Sequence, residues 1–356
     1  MRAAPRIAIV GAGIVGSAIA YFLAARGASV TLIDAAGPGA GVTDRAFGWI
    51  NVALADPDGP GANFKHRVID DYRKLDDRLH GRLNIAWQGA LSWSDDPGRT
   101  EARFADLKRA DHRVTLLDTA QVARLEPTLK SPPALAIFAP EDGMMRPGVS
   151  ARVLAAAAME AGAALRVGQA VDNIEPLPTG GVRLWLGNDR AEFDRVVLAA
   201  GAAVADLCRP LGLILPLEAS PSILTRFRSP VPILNRIVES PEFEARMETP
   251  NYLVTAESYQ GDRSDCGPEV VATGLRKALA TGLTGGEALT LDSVQVGMRP
   301  VQVGCGPIVG RVPGSPCLYI AAFHPGVILA ATIGGLVAQD MLDETVPTEL
   351  EGLAPR

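Results

Sequence analysis

The sequence predicts an α/β protein of about two domains, built on a parallel sheet with a dinucleotide site at its N-terminus. Three observations carry this expectation. Residues 6–34, RIAIVGAGIVGSAIAYFLAARGASVTLID, read as strand, glycine turn, helix and strand, ending on an acid. The chain has 356 residues, 47% hydrophobic and 21% charged, which suffices for two globular cores. From 215 to 296, prolines at 216, 221, 230, 232, 241 and 250 punctuate short segments such as Tyr252–Thr255 and Glu269–Thr273. That pattern favours an antiparallel sheet with edges.

The first strand, Ile7–Val10, is apolar throughout, as a strand buried on both faces must be. Gly11, Gly13 and Gly16 form GxGxxG. The first permits the tight turn, the second lets a pyrophosphate approach the backbone, and the third lets the helix pack close to the strand. The helix is expected from about Ile14 to Arg26, with Gly27 as its stop, so that its free N–H groups, from Ile14 and Val15 onward, face the phosphates. Ser29–Ile33 is the next strand, and it delivers Asp34 at the spacing where a carboxylate accepts hydrogen bonds from ribose hydroxyls. The fingerprint suits NAD and FAD equally. A signal peptide or membrane span is the competing reading of the apolar run after Arg2 and Arg6, but the glycine spacing and the strand ending in Asp belong to neither.

The net charge of −6 carries no basic block, which argues against nucleic acid as a partner. Cys208, Cys266, Cys305 and Cys317 show no CxxC and no histidine neighbours, so no zinc site or disulfide framework is indicated and a reducing, cytoplasmic setting fits. His66, His80 and His112 sit in charged segments; His324 does not.

Residues 37–51, GPGAGVTDRAFGWIN, follow the second strand, and Thr43 and Arg45 suit phosphate contact. This stretch resembles the D-amino-acid oxidase, glycine oxidase and sarcosine oxidase family of FAD enzymes, whose pattern there is near G-A-S-G-R-N-A-G. Gly41, Thr43, Arg45 and Gly48 match, and Ala46 stands in place of Asn. The resemblance implies that Thr43 and Arg45 lie by the FAD phosphates and that Phe47, Gly48 and Trp49 run beside the isoalloxazine ring.

Residues 62–83 read as a charged amphipathic surface helix. Gly89–Leu91 suggests a strand and Asp118–Leu125 a helix. Glu141-Asp142-Gly143 and Pro147 resemble the family's DG-x-x-x-P block, with Arg146 where Asp is commoner, and open a helix over Val149–Ala161 that Gly162 stops. Ala164–Val167 and Gln169–Ile174 read as strands, and the resemblance places the backbone of Val171 at the adenine. FDRVVLAAG, residues 193–201, reads as a strand whose small terminal residues, Ala200 and Gly201, allow close approach of a cofactor. Residues 294–310, VQVGMRPVQVGCGPIVG, read as a return strand and resemble the family's G-L-R-P-x-x-x-D-x-x-P-x-x-G, with Gly304 in place of Asp. Arg299 there would hold a substrate carboxylate, a task its planar two-pronged guanidinium suits. The covalent flavin cysteine of the sarcosine-oxidase branch aligns with Gly297, so FAD is expected to be non-covalent.

Residues 317–342 resemble the closing H-S-G-V-T-L-A-P block, with Phe323 and Pro325 as departures. A strand, a turn at His324-Pro325-Gly326 and a helix from about Val327 are expected, with Gly326, Val327 and Ile328 at the flavin; the turn cuts this apolar run into pieces too short to span a membrane. The helix dipole there would favour negative charge on reduced flavin.

The fold implied is therefore a Rossmann-like FAD-binding domain of the glutathione-reductase-like type, with an inserted antiparallel-sheet substrate domain. Residues 1–84, 140–214 and 297–356 are assigned to the first and 85–139 and 215–296 to the second. The implied activity is oxidation of an amine or amino acid, of glycine, N-methyl or D-amino-acid type. A hydride passes from the amine-bearing carbon to flavin N5, and the resulting imine hydrolyses. Oxygen or another acceptor would reoxidise the flavin. Arg299 and His324 are placed at the chemistry, with Trp49 and Tyr252 shaping the pocket and Tyr259 as a further aromatic. A dehydrogenase delivering electrons to a quinone or partner subunit is an alternative, as is a non-catalytic flavin-binding subunit of a hetero-oligomer. Homo- and hetero-oligomers both fit.

Overall fold

Alternation along Arg6–Val10 sets the architecture. In a computed structural model, Ile7 and Ile9 join the core on one face of a sheet while Ala8 and Val10 join the core on the other. The structure describes residues 5–51, 64, 66–178, 180–259, 267–304, 306–343 and 345–356. Arg6–Val10 pairs in parallel with Ser29–Asp34 on one side and Arg195–Leu198 on the other. Ala164–Val167 extends the sheet beyond Ser29–Asp34; Ser315–Ala322 and then antiparallel Ile308–Val312 extend it beyond Arg195–Leu198.

One face of this sheet is covered by the helices Ile14–Ala24, Val68–Arg78, Pro147–Glu160 and Gly326–Asp343. The other is covered by a three-stranded antiparallel sheet, Asn173–Pro176, Val182–Leu186 and Asp189–Phe193, together with the short helix Val204–Cys208. Close packing decides several identities. A Cβ on Gly16 would collide with the Gly11 carbonyl, and Gly334 lies against Ala18 and Phe22 where the first and last helices cross.

The second layer is a mixed eight-stranded sheet. Its order is Thr290–Gln302, Leu217–Arg228, Tyr252–Ser258, Glu244–Thr249, Ile237–Glu239, Ala90–Ser92, Leu135–Ala139 and Thr115–Asp118, so segments on both sides of residues 140–214 share one sheet. Its outer face packs on the helices Thr119–Leu125 and Pro268–Gly282, and its inner face packs on Phe47, Trp49 and Met144.

Several expectations need correction. Glu269–Thr273 is helical, inside Pro268–Gly282: Pro268 is at the first position, and the buried Ala272, Leu275 and Leu279 follow helical rather than alternating spacing. Gln169–Asp172 is irregular, and the strand there is Asn173–Pro176. Phe193 ends the preceding hairpin, so the next strand is Arg195–Leu198 alone. The return segment is two strands, Thr290–Gln302 and Ile308–Val312; the first runs unbroken through the proposed divide between 296 and 297. The helix expected over 62–83 ends at Arg78, where left-handed His80 and Gly81 turn the chain. The start of that expected helix, with Cys266 and Cys305, falls outside the described residues.

The turn at 324–326 does not leave a fragment too short to span a membrane, since Gly326–Asp343 has 18 residues and sufficient hydropathy. What marks it as a core helix is its packing. Asp340 is buried on it, accepting from the Tyr319 hydroxyl at 2.9 Å and pairing with Arg311 at 2.9 Å.

Candidate active site

A cavity of about 940 Å³ lies between the C-terminal ends of the parallel strands and the inner face of the eight-stranded sheet. This is the place where ligands bind in open parallel sheets, outside the carboxyl ends of strands running in opposite chain order from the first.

The first half is a backbone cradle. Gly11 takes φ +103°, and a Cβ there would sit 2.6 Å from the Ala199 carbonyl oxygen. Gly13, Ile14 and Val15 line the wall where the helix begins. Gly16 does not reach the cavity; its role is the helix–strand contact already described. Thr43 is buried, and its hydroxyl accepts from the Ile14 N–H at 3.1 Å, leaving the hydroxyl proton free to donate. Arg45, exposed, stands on the same wall. Asp34 also lines it, but its carboxylate first organises the turns around it: it accepts from Ala12 N–H at 2.7 Å, Ala36 N–H at 2.8 Å and Gly37 N–H at 2.7 Å. Val171, Ala200 and Gly201 complete this half.

The middle is held by two buried polar side chains, Arg246, which the sequence does not single out, and Asp142, which it shows only within the Glu141-Asp142-Gly143 block. Phe47, Gly48 and Trp49 line the cavity, and Gly48 is left-handed with φ +85°. Arg246, fully buried, donates to the Phe47 carbonyl at 2.7 Å and the Met145 carbonyl at 2.9 Å, and lies over the Phe47 ring. Its burial without an ion-paired hydrogen bond pulls its pKa down to about 10. The indole N–H of Trp49 donates to Asp142 at 2.8 Å, and burial pushes that carboxyl up to about 7 against the pull of the indole bond.

At the far end Arg299 projects from Thr290–Gln302. It donates to the Ser220 hydroxyl at 3.1 Å and weakly to the Pro221 carbonyl at 3.4 Å, and its Nε is buried with no partner. No carboxylate pairs with it among the described residues. His324 faces the same space; the protein around it, then the Arg299 charge, push it down to about 4, so it is neutral at physiological pH. Gly326, Val327 and Ile328 bring the N-terminus of the last helix to the wall, and the Tyr72 hydroxyl donates to the Val327 carbonyl.

Tyr252 is not part of this site. It opens the strand Tyr252–Ser258, whose opposite end faces the cavity, and its ring lies under Arg228 in a separate small hollow. Tyr259 does not line the cavity either. The roof is made instead by small residues, Ser222, Ala256 and Ser258, with Glu239, Glu244 and Glu257 beyond them. Nothing in the local sequence separates these from other strand positions; only strand pairing brings them together.

A dinucleotide with an attached ring system fits these residues. The glycine cradle excludes side chains where a pyrophosphate would lie, and Gln169 Oε1, Asn51 Nδ2 and Arg299 Nε are buried polar atoms on the wall with no protein partner.

Residues 6–340 match the family model described as FAD dependent oxidoreductase. The chain is 26% identical over 355 residues to a glycine oxidase of Bacillus licheniformis, covering 96% of this chain and 94% of that one. It is 30% identical over 230 residues to a 4-methylaminobutanoate oxidase (formaldehyde-forming) of Paenarthrobacter nicotinovorans, covering 62% of this chain and 27% of that one. Among solved structures, glycine oxidase of Geobacillus kaustophilus superposes with a TM-score of 0.89 at 22% identity, over 99% of this chain and 98% of that one. Iminodiacetate oxidase of Chelativorans sp. BNC1 superposes with a TM-score of 0.87 at 23% identity, over 98% and 99%.

Proposed function

The chain belongs to the FAD dependent oxidoreductase family, and within it we propose that it oxidises a carboxylate-bearing amine or amino acid at the carbon next to nitrogen. The observation that carries this reading is Arg299: a guanidinium without an acid partner, facing the same cavity as the glycine cradle. An arginine in that state is an anchor for a carboxylate, because two parallel charge-assisted hydrogen bonds replace the water it has lost. The relatives named as oxidases of glycine, iminodiacetate and 4-methylaminobutanoate act on molecules of this kind.

FAD, when bound, supplies the two-electron acceptor. The chain's own residues bind, orient and shield. Gly11, Gly13 and the N–H group of Val15 would receive the pyrophosphate, Thr43, held by the Ile14 N–H, would donate to it, and Asp34 would receive the ribose. Trp49, fixed by Asp142, and Phe47, fixed by Arg246, wall the space between cofactor and substrate. His324, neutral, accepts or donates a hydrogen bond without adding charge beside Arg299. The substrate amine reacts in its neutral form, and the imine product leaves to hydrolyse in water. FAD is held without a covalent bond: Gly297 has no side chain, and a Cβ there would already press on Val42 and Arg45.

Anaerobic mixing with glycine, N-methyl and D-amino acids tests the reading. Loss of the oxidised-flavin absorbance is expected, and its recovery in air identifies oxygen as an acceptor. No bleaching with any carboxylate-bearing amine overturns the proposal. Acid precipitation should release the flavin, and flavin remaining with the protein contradicts the non-covalent assignment.

A further inference from the structure

Beyond Arg299, the sheet that roofs the cavity carries a second ionisable side chain of opposite sign, Glu244. The strand order from Arg299 inward is Thr290–Gln302, Leu217–Arg228, Tyr252–Ser258 and Glu244–Thr249. Arg299 lies opposite Ser220, while Gln295, Leu224 and Ala256 form the row that Glu244 continues. Arg299 and Glu244 are thus three strands and four residues apart, roughly 20 Å between Cα atoms at ordinary sheet spacings. Both side chains lie on the face that lines the cavity, and the residues between them, Ser222, Ala256 and Ser258, are small. The wall between them is left open by these small side chains. An α-amine beside an Arg299-bound carboxylate does not reach as far as Glu244.

Glu244 faces this open stretch with no hydrogen-bond donor and no ion pair among the described residues. Glu239, opposite Glu244 in the next strand, is already paired with Arg103 at 3.1 Å. Arg246 is near, but its three hydrogen bonds go to the carbonyls of Phe47, Met145 and Met247 and none goes to Glu244. Burial, then the Glu239 and Glu257 charges, push the Glu244 carboxyl up to about 8, against the pull of the Arg246 charge.

We propose that Glu244 forms a subsite for a second cationic group, an ammonium or guanidinium, at the distal end of the substrate whose carboxylate Arg299 holds. The inference rests on the proposed amine oxidation for its substrate class and on the cavity alone for its charge pattern. The favoured substrates are therefore amino acids, N-substituted or not, with a basic tail.

Two measurements test it on the holoenzyme. The first compares anaerobic flavin reduction at limiting concentration for length-matched pairs, lysine with norleucine, ornithine with norvaline and arginine with citrulline, each as L, D and Nα-methyl forms. The cationic member should be preferred roughly 10- to 100-fold, the range of a charge-assisted hydrogen-bonded pair, and Glu244→Gln should bring the ratio toward one. The second titrates 6-aminohexanoate and hexanoate against the bound-flavin spectrum, with tighter binding of the first expected in wild type and equal binding in Glu244→Gln. Equal or tighter binding of hexanoate in wild type, or a cationic preference that survives Glu244→Gln, overturns the subsite. Because the titration needs no turnover, failure of every amine to reduce flavin refutes the proposed reaction while the titration still decides the subsite.

Discussion

Asp142 and Trp49 show how single residues are tuned for position. The carboxyl is 2% exposed and has the Trp49 indole as its side-chain hydrogen-bond donor. Removing the acceptor should leave the indole N–H unsatisfied at a cost of about 1–3 kcal/mol. Asp142→Ala should therefore lower the unfolding midpoint and shift tryptophan emission, whereas Asp142→Asn, which keeps an acceptor, should do much less. Equal losses in both variants would show that the hydrogen bond is not what fixes Trp49.

The same carboxyl has a pH consequence. Asp142 and the fully buried Glu126 are both raised to about 7 by burial, Glu126 despite the Asn235 N–H and Arg236 that favour its charge. In the unfolded chain they release their protons near their ordinary values of 3.8 and 4.5. Between those values and about 7 the folded state holds more protons, so stability falls as pH rises through that window and levels off above it. Thermal melts at several pH values should show a flatter profile for Asp142→Asn/Glu126→Gln than for wild type. Parallel profiles would count against the assignment.

At the scale of elements, the segment Phe47–Ile50 is fixed from three directions: pairing of Trp49–Ile50 with Gly143–Met144, the Asp142 hydrogen bond, and Arg246 reaching in from the eight-stranded sheet. Truncating Arg246 leaves two buried carbonyls without donors. Arg246→Met should thus cost about 2–5 kcal/mol by the unpaired-group rule and weaken FAD retention on a desalting column. A variant that is as stable and holds FAD as tightly as wild type would remove Arg246 from this role.

What the sequence made legible follows from the range of the interactions. The glycine unit, the Thr43–Trp49 loop, the Arg299 strand and the Gly326 helix are local patterns, and they meet in one cavity as their chemistry requires. Tyr252 falls outside the site because strand membership does not say which end of a strand faces it; Asp142 is legible only as a member of its motif, and Arg246 and Glu244 not at all, because their partners lie across the fold. Glu269–Thr273 stands among the proline-punctuated segments expected to be strands, and there the longer apolar period of a helix prevails.

For the whole molecule, the cavity lies where two sheets meet, so a bound dinucleotide touches both and couples them. FAD that binds only the folded chain should raise stability by about 2.7 kcal/mol at a hundredfold excess over Kd. Apoprotein melts should therefore rise with added FAD and much less with NAD; equal shifts would leave the cofactor choice unsupported.

The most direct measurement is the concentration dependence of anaerobic flavin reduction by one carboxylate-bearing amine, such as N-methylglycine or whichever member of the panel reacts, in wild type and in Arg299→Ala. With the carboxylate held by the guanidinium, the half-saturating concentration should rise about 30-fold or more in the variant, matching the loss of about 2 kcal/mol. An unchanged half-saturating concentration would contradict the anchor and, with it, the orientation of substrate in this cavity.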